Sequence, residues 1–239
     1  MARSSLVLAL VLALGLALAG CGGDDEEAVP PREAPTVQTE PETETGDGET
    51  GDGGATGCRD VEAPEPRAEG TETAPTALLA ADKTYEVLVR TSCGDFTITL
   101  DQKASPQTAA SFVALAEKGF YDGTVFHRIV PGFVIQGGDP TGTGMGGPGY
   151  TTEDAPAPDT SYTKGVVAMA KTAQDPRGTA GSQFFVVTAP EVALPADYAV
   201  VGEVTAGLDV VDRIAVLGDP SSELPTQPVV VASMEVTIR

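Results

Sequence analysis

The chain offers few groups for acid–base, nucleophilic or metal chemistry. It has one histidine, His127, and three cysteines, with 35 Asp and Glu residues against 14 Lys and Arg and a formal net charge of −21. Every Ser-His-Asp or Cys-His site would have to use His127, and most zinc sites are excluded. Gly137 and Gly138 lack the Lys-Ser/Thr ending of a phosphate-binding loop. The acidic balance also argues against nucleic acid as a partner.

One arginine is more informative than these absences. Arg128 lies in the apolar stretch 126–139, Phe-His-Arg-Ile-Val-Pro-Gly-Phe-Val-Ile-Gln-Gly-Gly-Asp, and a strand would place Phe126, Arg128 and Val130 on one face. A charged side chain on an apolar face requires either a partner or a function. Gln136 is a candidate partner, and the residues alone favour a structural and a functional role for Arg128 equally.

The first 21 residues have the pattern of an export signal. An uninterrupted apolar run over residues 6–20 follows Arg3, and at about 15 residues it is shorter than the roughly 20 that a membrane-spanning helix needs. The run ends Leu-Ala-Gly before Cys21 and resembles the lipobox of bacterial lipoproteins. This pattern predicts a lipoprotein signal peptide over residues 1–20 and acyl chains such as palmitate on Cys21, which would anchor the protein to the cell membrane outside the cytoplasm. The alternative is an ordinary secretory signal with an incidental Cys21.

The segment 21–80 differs in composition from the rest of the chain. It is rich in Pro, Glu, Thr and Gly and has too few apolar residues for a core, so we predict an acidic, disordered tether. Residues 81–239 have the composition of one globular domain. Once Cys21 is lipidated, Cys58 and Cys93 remain, and in an exported protein such a pair suggests a disulfide. The alternative is two free or intermolecular thiols.

The domain contains short β-type runs and two helical segments. Alternating apolar and polar residues predict a hairpin of strands 85–91 and 95–100. A Ser-Pro pair at 105–106 predicts the start of a helix that ends at Gly119, and a second helix is predicted over 208–217. Eight short strands with two helices predict a mainly β fold, a closed eight-stranded antiparallel barrel capped by two helices. The six remaining strands are predicted at 124–130, 133–136, 165–170, 183–188, 198–204 and 228–238.

Three blocks of the domain resemble cyclophilins. The first is Gly-Phe-Tyr-Asp-Gly at 119–123 with the stretch 126–139, the second is Val-Ala-Met-Ala at 167–170, and the third is Gly-Ser-Gln-Phe-Phe at 181–185. The blocks follow the family order, and the resemblance covers nearly all of residues 83–239. Cyclophilins are peptidyl-prolyl cis-trans isomerases built on an eight-stranded barrel capped by two helices. The resemblance therefore implies that fold and that activity.

The resemblance also implies roles for single residues. Arg128 matches the catalytic arginine of the family, and Gln136 matches the glutamine that orients it. Phe133 and Phe185 match the aromatic walls of the proline pocket, with Val134 at a position usually held by methionine. This interpretation requires Arg128 to face Phe133 and Phe185, and not to be locked in an ion pair that a peptide cannot reach.

Five further positions match the groove that binds the peptide. The resemblance implies that Gln183 faces the peptide, that Ala170 and Lys171 belong to the strand that pairs with it, and that Leu194 forms the aliphatic side of the pocket. Tyr198 stands where a histidine is common, and Lys171 where an asparagine is common. The tryptophan that lines the pocket of well-known members is absent from the chain, so weak cyclosporin binding is expected.

The implied function is isomerisation of X–Pro bonds in exported proteins, which would assist folding outside the cytoplasm. The partners would be proline-containing polypeptides and, through Cys21, the membrane, and the chain is expected to be a monomer. Rotation about an amide bond needs no proton transfer, so no cofactor or metal is expected, and His127 is expected to be a packed, hydrogen-bonded core residue. A proline-peptide-binding chaperone or scaffold without turnover, and a purely structural surface lipoprotein, are the alternatives.

Overall fold

The computed structural model describes residues 57–239, so the predicted signal peptide, Cys21 and residues 21–56 of the predicted tether lie outside the described part. This part contains the helices α1 (Pro106–Glu117) and α2 (Leu208–Ala215), and neither is long and apolar enough to cross a membrane. Its strands are β1 (Tyr85–Thr91), β2 (Gly94–Leu100), β3 (Arg128–Val130), β4 (Val134–Gly137), β5 (Thr152–Glu153), β6 (Tyr162–Thr163), β7 (Val166–Met169), β8 (Thr179–Ala180), β9 (Phe184–Val187), β10 (Glu191–Val192), β11 (Val200–Ala206) and β12 (Val231–Ile238).

Eight of these strands form one strongly curled antiparallel sheet. The strand order is β12-β1-β2-β11-β7-β9-β4-β3, and within the described chain the edge strands β12 and β3 do not pair with each other. The eight predicted strands correspond to the strands of this sheet and both predicted helices are present, whereas four short strands in two further pairs were not predicted and the predicted closure of the barrel is wrong. The sheet is a curled half-barrel.

The gap between the two edges has a local cause. Strand β3 has three residues, and the N–H of Ile129 at its centre donates to the carbonyl oxygen of Glu223 (2.9 Å). A loop after α2 therefore occupies the edge where a closing strand would pair. Before β3, the N–H of Phe126 donates to the carbonyl oxygen of Val229 (3.0 Å), which lies outside β12. Isolated contacts of this kind replace a continuous ladder.

Aromatic rings fix the strand β9 from inside the core. The ring of Phe184 on β9 meets Phe112 of α1, Tyr121 and Phe126 edge-on, with centroid distances of 5.6, 5.9 and 6.0 Å. All four side chains are fully buried. Edge-to-face aromatic pairs contribute about 0.5–1.5 kcal/mol each beyond the area that they bury. Because neighbouring residues of a strand point to opposite faces, Phe185 is held on the other face of the sheet.

The predicted local elements agree with the structure, with one difference at a helix cap. Strands β1 and β2 form the predicted hairpin, and α1 begins at Pro106, with Gly119 just beyond its end at a φ of 68°. The hydroxyl of Ser105 makes no cap hydrogen bond. Instead, the N–H of Thr108 in the first turn donates to the Asp154 carboxylate (2.7 Å), which lies far along the chain.

The segment 57–80 binds to the domain although it contains no helix or strand. The predicted disulfide between Cys58 and Cys93 is present. Further along, the N–H of Gly70 donates to the carbonyl oxygen of Gly147 (2.9 Å). The folded part of the chain therefore begins before residue 81, which differs from the prediction of a tether up to that point. Composition suggested a tether, whereas a disulfide, single backbone hydrogen bonds and side-chain contacts such as the ion pair between Lys118 and Glu72 (2.6 Å) hold the segment.

Candidate functional site

Three of the predicted site residues lie in one row across neighbouring strands. Arg128 on β3 pairs with Gln136 on β4, and Gln136 pairs with Phe185 on β9. Residues directly opposite each other in an antiparallel ladder have their side chains on the same face. The sheet therefore brings a cation, an amide and an aromatic ring to one surface.

The turn between β3 and β4 brings a second aromatic ring beside the arginine. The N–H of Phe133 donates to the carbonyl oxygen of Val130 (3.0 Å) across Pro131 and Gly132, and Gly132 has a φ of 71°. Proline followed by glycine suits a type II turn, whose third residue needs a positive φ. The Cζ atom of Arg128 consequently lies 5.9 Å from the centroid of the Phe133 ring, within cation–π range.

A cavity of about 200 Å³ opens on this face. It is smaller than the roughly 300–1,000 Å³ of pockets that hold a drug-sized ligand, so its size suits a single small ring. Nine of the ten residues predicted for catalysis and substrate binding line it: Arg128, Phe133, Val134, Gln136, Ala170, Lys171, Phe185, Leu194 and Tyr198. The tenth, Gln183, lines a neighbouring cavity.

Tyr198 forms one wall of the cavity, and neighbouring side chains fix its ring and its backbone. Its ring meets Phe185 edge-on with 5.5 Å between centroids, and the Nζ atom of Lys171 lies 5.6 Å from the Tyr198 centroid. The fully buried Tyr162 donates its hydroxyl to the Tyr198 carbonyl oxygen (2.8 Å) and accepts the Tyr198 N–H (3.0 Å). The sequence did not reveal Tyr162, because its hydrogen bonds join β6 to a residue 36 positions later in the chain.

The guanidinium of Arg128 forms an ion pair that the sequence did not predict. Its Nε–H donates to Oε2 of Glu223 at 2.7 Å, and the two side chains are 34% and 46% exposed. The predicted orienting residue, Gln136, donates instead to Oε1 of Gln183 (3.0 Å). Among the described residues Arg128 makes its side-chain hydrogen bond to Glu223 alone. Since the side chain still lines the cavity and is one-third exposed, the ion pair does not remove it from the reach of a peptide.

A larger cavity of about 460 Å³ lies on the other side of Gln136 and Gln183. Gln183 Nε2 donates to the carbonyl oxygen of Gly146 (2.8 Å), so the two glutamines and this glycine form a wall between the cavities. Ala170 and Lys171 line both cavities, and the N–H of Ala170 donates to the carbonyl oxygen of Gln183 (2.9 Å). An extended polypeptide lying across both cavities would therefore pass over these residues.

A buried carboxylate shapes the glycine-rich rim of the larger cavity. Asp139 is fully buried and accepts hydrogen bonds from the N–H groups of Thr141 (2.7 Å), Gly144 (2.6 Å) and Gly146 (3.2 Å). Burial alone would raise the pKa of Asp139, but the hydrogen bonds outweigh it and the pKa is lowered. The rim is thus organised around a charged group at neutral pH.

His127 lies beside Arg128 but outside the cavity lining. It is half-buried, and both of its ring nitrogens are buried and form no hydrogen bond with another described residue. The expected packing is present, and the expected hydrogen bond is reduced to a backbone contact with Val125 outside normal hydrogen-bond geometry. Burial lowers the pKa of His127. Across residues 57–239, no group of three or more His, Cys, Asp or Glu side chains is arranged to hold a metal ion.

Comparisons with known proteins agree with this geometry. The family described as "Cyclophilin type peptidyl-prolyl cis-trans isomerase/CLD" matches residues 86–236. Human peptidyl-prolyl cis-trans isomerase-like 1 is 42% identical over 147 residues, which are 60% of this chain and 87% of that protein. The probable peptidyl-prolyl cis-trans isomerase A of Mycobacterium leprae is 38% identical over 167 residues, covering 62% and 90%. A Cryptosporidium parvum cyclophilin crystallised with the dipeptide Ala-Pro has a TM-score of 0.59 and 31% identity, covering 64% of this chain and 98% of that one.

Proposed function

The chain belongs to the family of cyclophilin-type peptidyl-prolyl cis-trans isomerases and is an enzyme of that class, and we propose that Arg128 is its catalytic residue and exported proteins are its substrates. One observation carries the residue assignment. Arg128 is a cation in the wall of a small cavity that also presents Phe133 and Phe185, and the size of the cavity suits a proline ring. The proposal about substrates rests on the export signal, which lies outside the described residues.

The reaction is rotation about an amide bond, and its barrier is electronic. Resonance makes rotation about a peptide bond cost about 18–20 kcal/mol, so an X–Pro bond isomerises over tens to hundreds of seconds. In the twisted state the conjugation is lost, and the lone pair of the prolyl nitrogen, which the planar amide delocalises into the carbonyl, becomes localised and able to accept a hydrogen bond. A guanidinium N–H aimed at that nitrogen binds the twisted amide more strongly than the planar amide. Such differential binding lowers the barrier.

The apolar residues of the cavity hold the proline ring while the acyl side of the bond rotates. Phe133, Val134, Phe185 and Leu194 present carbon surface to the ring. A bound peptide would cover the exposed part of the guanidinium together with these residues, and the loss of water there would strengthen its interaction with the lone pair. Ala170, Lys171 and Gln183 then contact the chain on either side of the proline. No proton transfer is needed in this scheme.

Turnover is tested directly by exchange NMR. A peptide with one X–Pro bond gives separate cis and trans signals, and catalytic amounts of the enzyme should increase their exchange rate. Line broadening from binding, without faster exchange, would instead indicate a proline-peptide chaperone. The altered groove would fit that result, because it lacks the pocket tryptophan and contains Lys171 and Tyr198. That result would contradict the proposed mechanism.

The proposed location outside the cytoplasm rests on the residues around Cys21. Cleavage before Cys21 and acylation of its thiol would anchor the protein in the membrane, because each buried CH₂ contributes about 0.8 kcal/mol and two or more chains give stable anchoring. The disulfide between Cys58 and Cys93 supports an oxidising compartment. Mass spectrometry of the mature N-terminus should find acylated Cys21. A non-acylated N-terminus at another residue would refute the lipid anchor.

A further inference from the structure

The loop after α2 binds two successive residues of the strand that carries the arginine. The Glu223 carboxylate accepts the Nε–H of Arg128 (2.7 Å), and the Glu223 carbonyl oxygen accepts the N–H of Ile129 (2.9 Å). Side chain and backbone of one glutamate therefore both dock on β3. A surface ion pair formed by chance would not include this second contact.

The loop is built to hold this glutamate in an unfavourable conformation. Glu223 has a φ of 60° and is the only residue other than glycine with a positive φ in the described part of the chain. That region disfavours any residue with a Cβ, so the surrounding contacts must maintain it. The Asp219 carboxylate accepts the N–H groups of Ser221 (2.7 Å) and Ser222 (3.0 Å), and the Asp219 carbonyl oxygen accepts the Glu223 N–H (2.8 Å). Gly218 allows close approach, since a Cβ there would lie 2.3 Å from the Ile129 carbonyl oxygen.

We propose that Glu223 is the positioning residue of Arg128, in the role that the resemblance implied for Gln136. The contact through Nε fixes the plane of the guanidinium and leaves the Nη groups for the substrate. A long arginine side chain loses rotamer freedom when it is ordered, and Glu223 imposes that order before the substrate binds. The inference rests on the proposed catalytic role of Arg128.

The test uses two variants at position 223 and one matched control. Glu223→Gly removes the carboxylate and suits a positive φ, so the loop keeps its conformation without strain. Glu223→Gln keeps an acceptor oxygen for the Nε–H. Glu235→Ala removes one of the two carboxylate partners of Arg90; this pair is exposed, its Nε–Oε1 distance is 3.1 Å, and neither residue lines either of the two cavities. We expect Glu223→Gly to lower kcat roughly tenfold with KM within about twofold, as the entropy of ordering an arginine suggests. Glu223→Gln should recover kcat to within about threefold of wild type, and Glu235→Ala should match wild type.

A second readout reports the contact itself. The Nε–Hε NMR signal of Arg128 should exchange slowly with water in the wild type and in Glu223→Gln, and rapidly in Glu223→Gly. An isomerase with unchanged or increased kcat in Glu223→Gly would overturn the proposal, as would a loss of kcat that Glu223→Gln does not recover. If the wild type shows no isomerase activity but its Nε–Hε signal is protected, the proposed function fails while the contact stands, so the two failures are distinguishable.

Discussion

Replacing Arg128 by alanine should separate catalysis from folding. Loss of one preorganised donor to a developing charge typically lowers the rate by about 10²–10³, or roughly 2.7–4 kcal/mol of barrier. Lys171 is the other cation in the cavity lining, but its Nζ donates to the carbonyl oxygens of Thr172 and Asp175 (3.1 Å each). It is therefore not free to replace the guanidinium. We expect the turnover of Arg128→Ala to fall by about 10² or more.

The same substitution should cost little stability. The ion pair with Glu223 is half-exposed, and such pairs contribute about 0–1 kcal/mol. The cation–π contact with Phe133 adds about 0.5–1 kcal/mol. The glutamate that loses its partner is 46% exposed and stays hydrated. A total of about 0.5–2 kcal/mol, against a typical stability of 5–15 kcal/mol, would lower Tm by about 1–8 °C.

Exchange NMR on an X–Pro peptide measures the turnover, and circular dichroism with a thermal scan shows that the variant is folded. Arg90→Ala is the matched control, because Arg90 also pairs with a glutamate through Nε and is 44% exposed. It should show a similar small loss of Tm and no loss of turnover. A folded Arg128→Ala protein with turnover close to wild type would refute the assignment of Arg128.

Two further predictions concern stability. The double variant Cys58→Ala/Cys93→Ala should lower Tm by about 8–15 °C, because opening a 35-residue loop removes about 4 kcal/mol of stability. Its turnover at low temperature should stay near that of the wild type. Equal Tm values for the oxidised and the reduced wild type would contradict this prediction. For His127, burial lowers the folded-state pKa below the usual 6.5, so the stability present above about pH 6.5 is lost as the pH falls toward that pKa. Urea unfolding between about pH 7.5 and pH 5 should show this loss in the wild type and not in His127→Gln, and identical pH slopes would exclude it.

The sequence predicted the elements whose signals are local. The hairpin β1–β2 follows from alternation, and α1 from a Ser-Pro start and a glycine stop. Closure of the barrel has no local signal, since it depends on which distant segment pairs with the outer edge of β3. The loop that contains Glu223 binds that edge in place of a closing strand. The segment 57–80 has the composition of a tether, yet Cys58 and a few backbone hydrogen bonds hold it on the domain. Composition describes the average of a segment and cannot register such contacts.

In the candidate site, too, some residues have a signal in the sequence and others are revealed only by the fold. Six of the nine lining residues lie in the three blocks that resemble a known family, and Lys171, Leu194 and Tyr198 were found by extending that resemblance along the chain. The sheet register places Arg128, Gln136 and Phe185 on one face. Glu223 stands 95 positions after Arg128, in a stretch outside those blocks. Nothing in its neighbours marks it as a partner, because a glutamate at positive φ has no sequence signal. The fold alone brings it to the arginine.

Two arginine–glutamate pairs in this chain show how an ion pair can orient a cation without blocking it. Glu235 binds Arg90 at two points, Nε to Oε1 (3.1 Å) and Nη2 to Oε2 (3.2 Å), which is the usual fork geometry. Glu223 reaches Arg128 from the side, through Nε alone. A two-point pair would engage a terminal amine that a substrate needs. A one-point pair restrains the guanidinium and leaves both Nη groups without a hydrogen bond to the described residues, so this ion pair is compatible with catalysis.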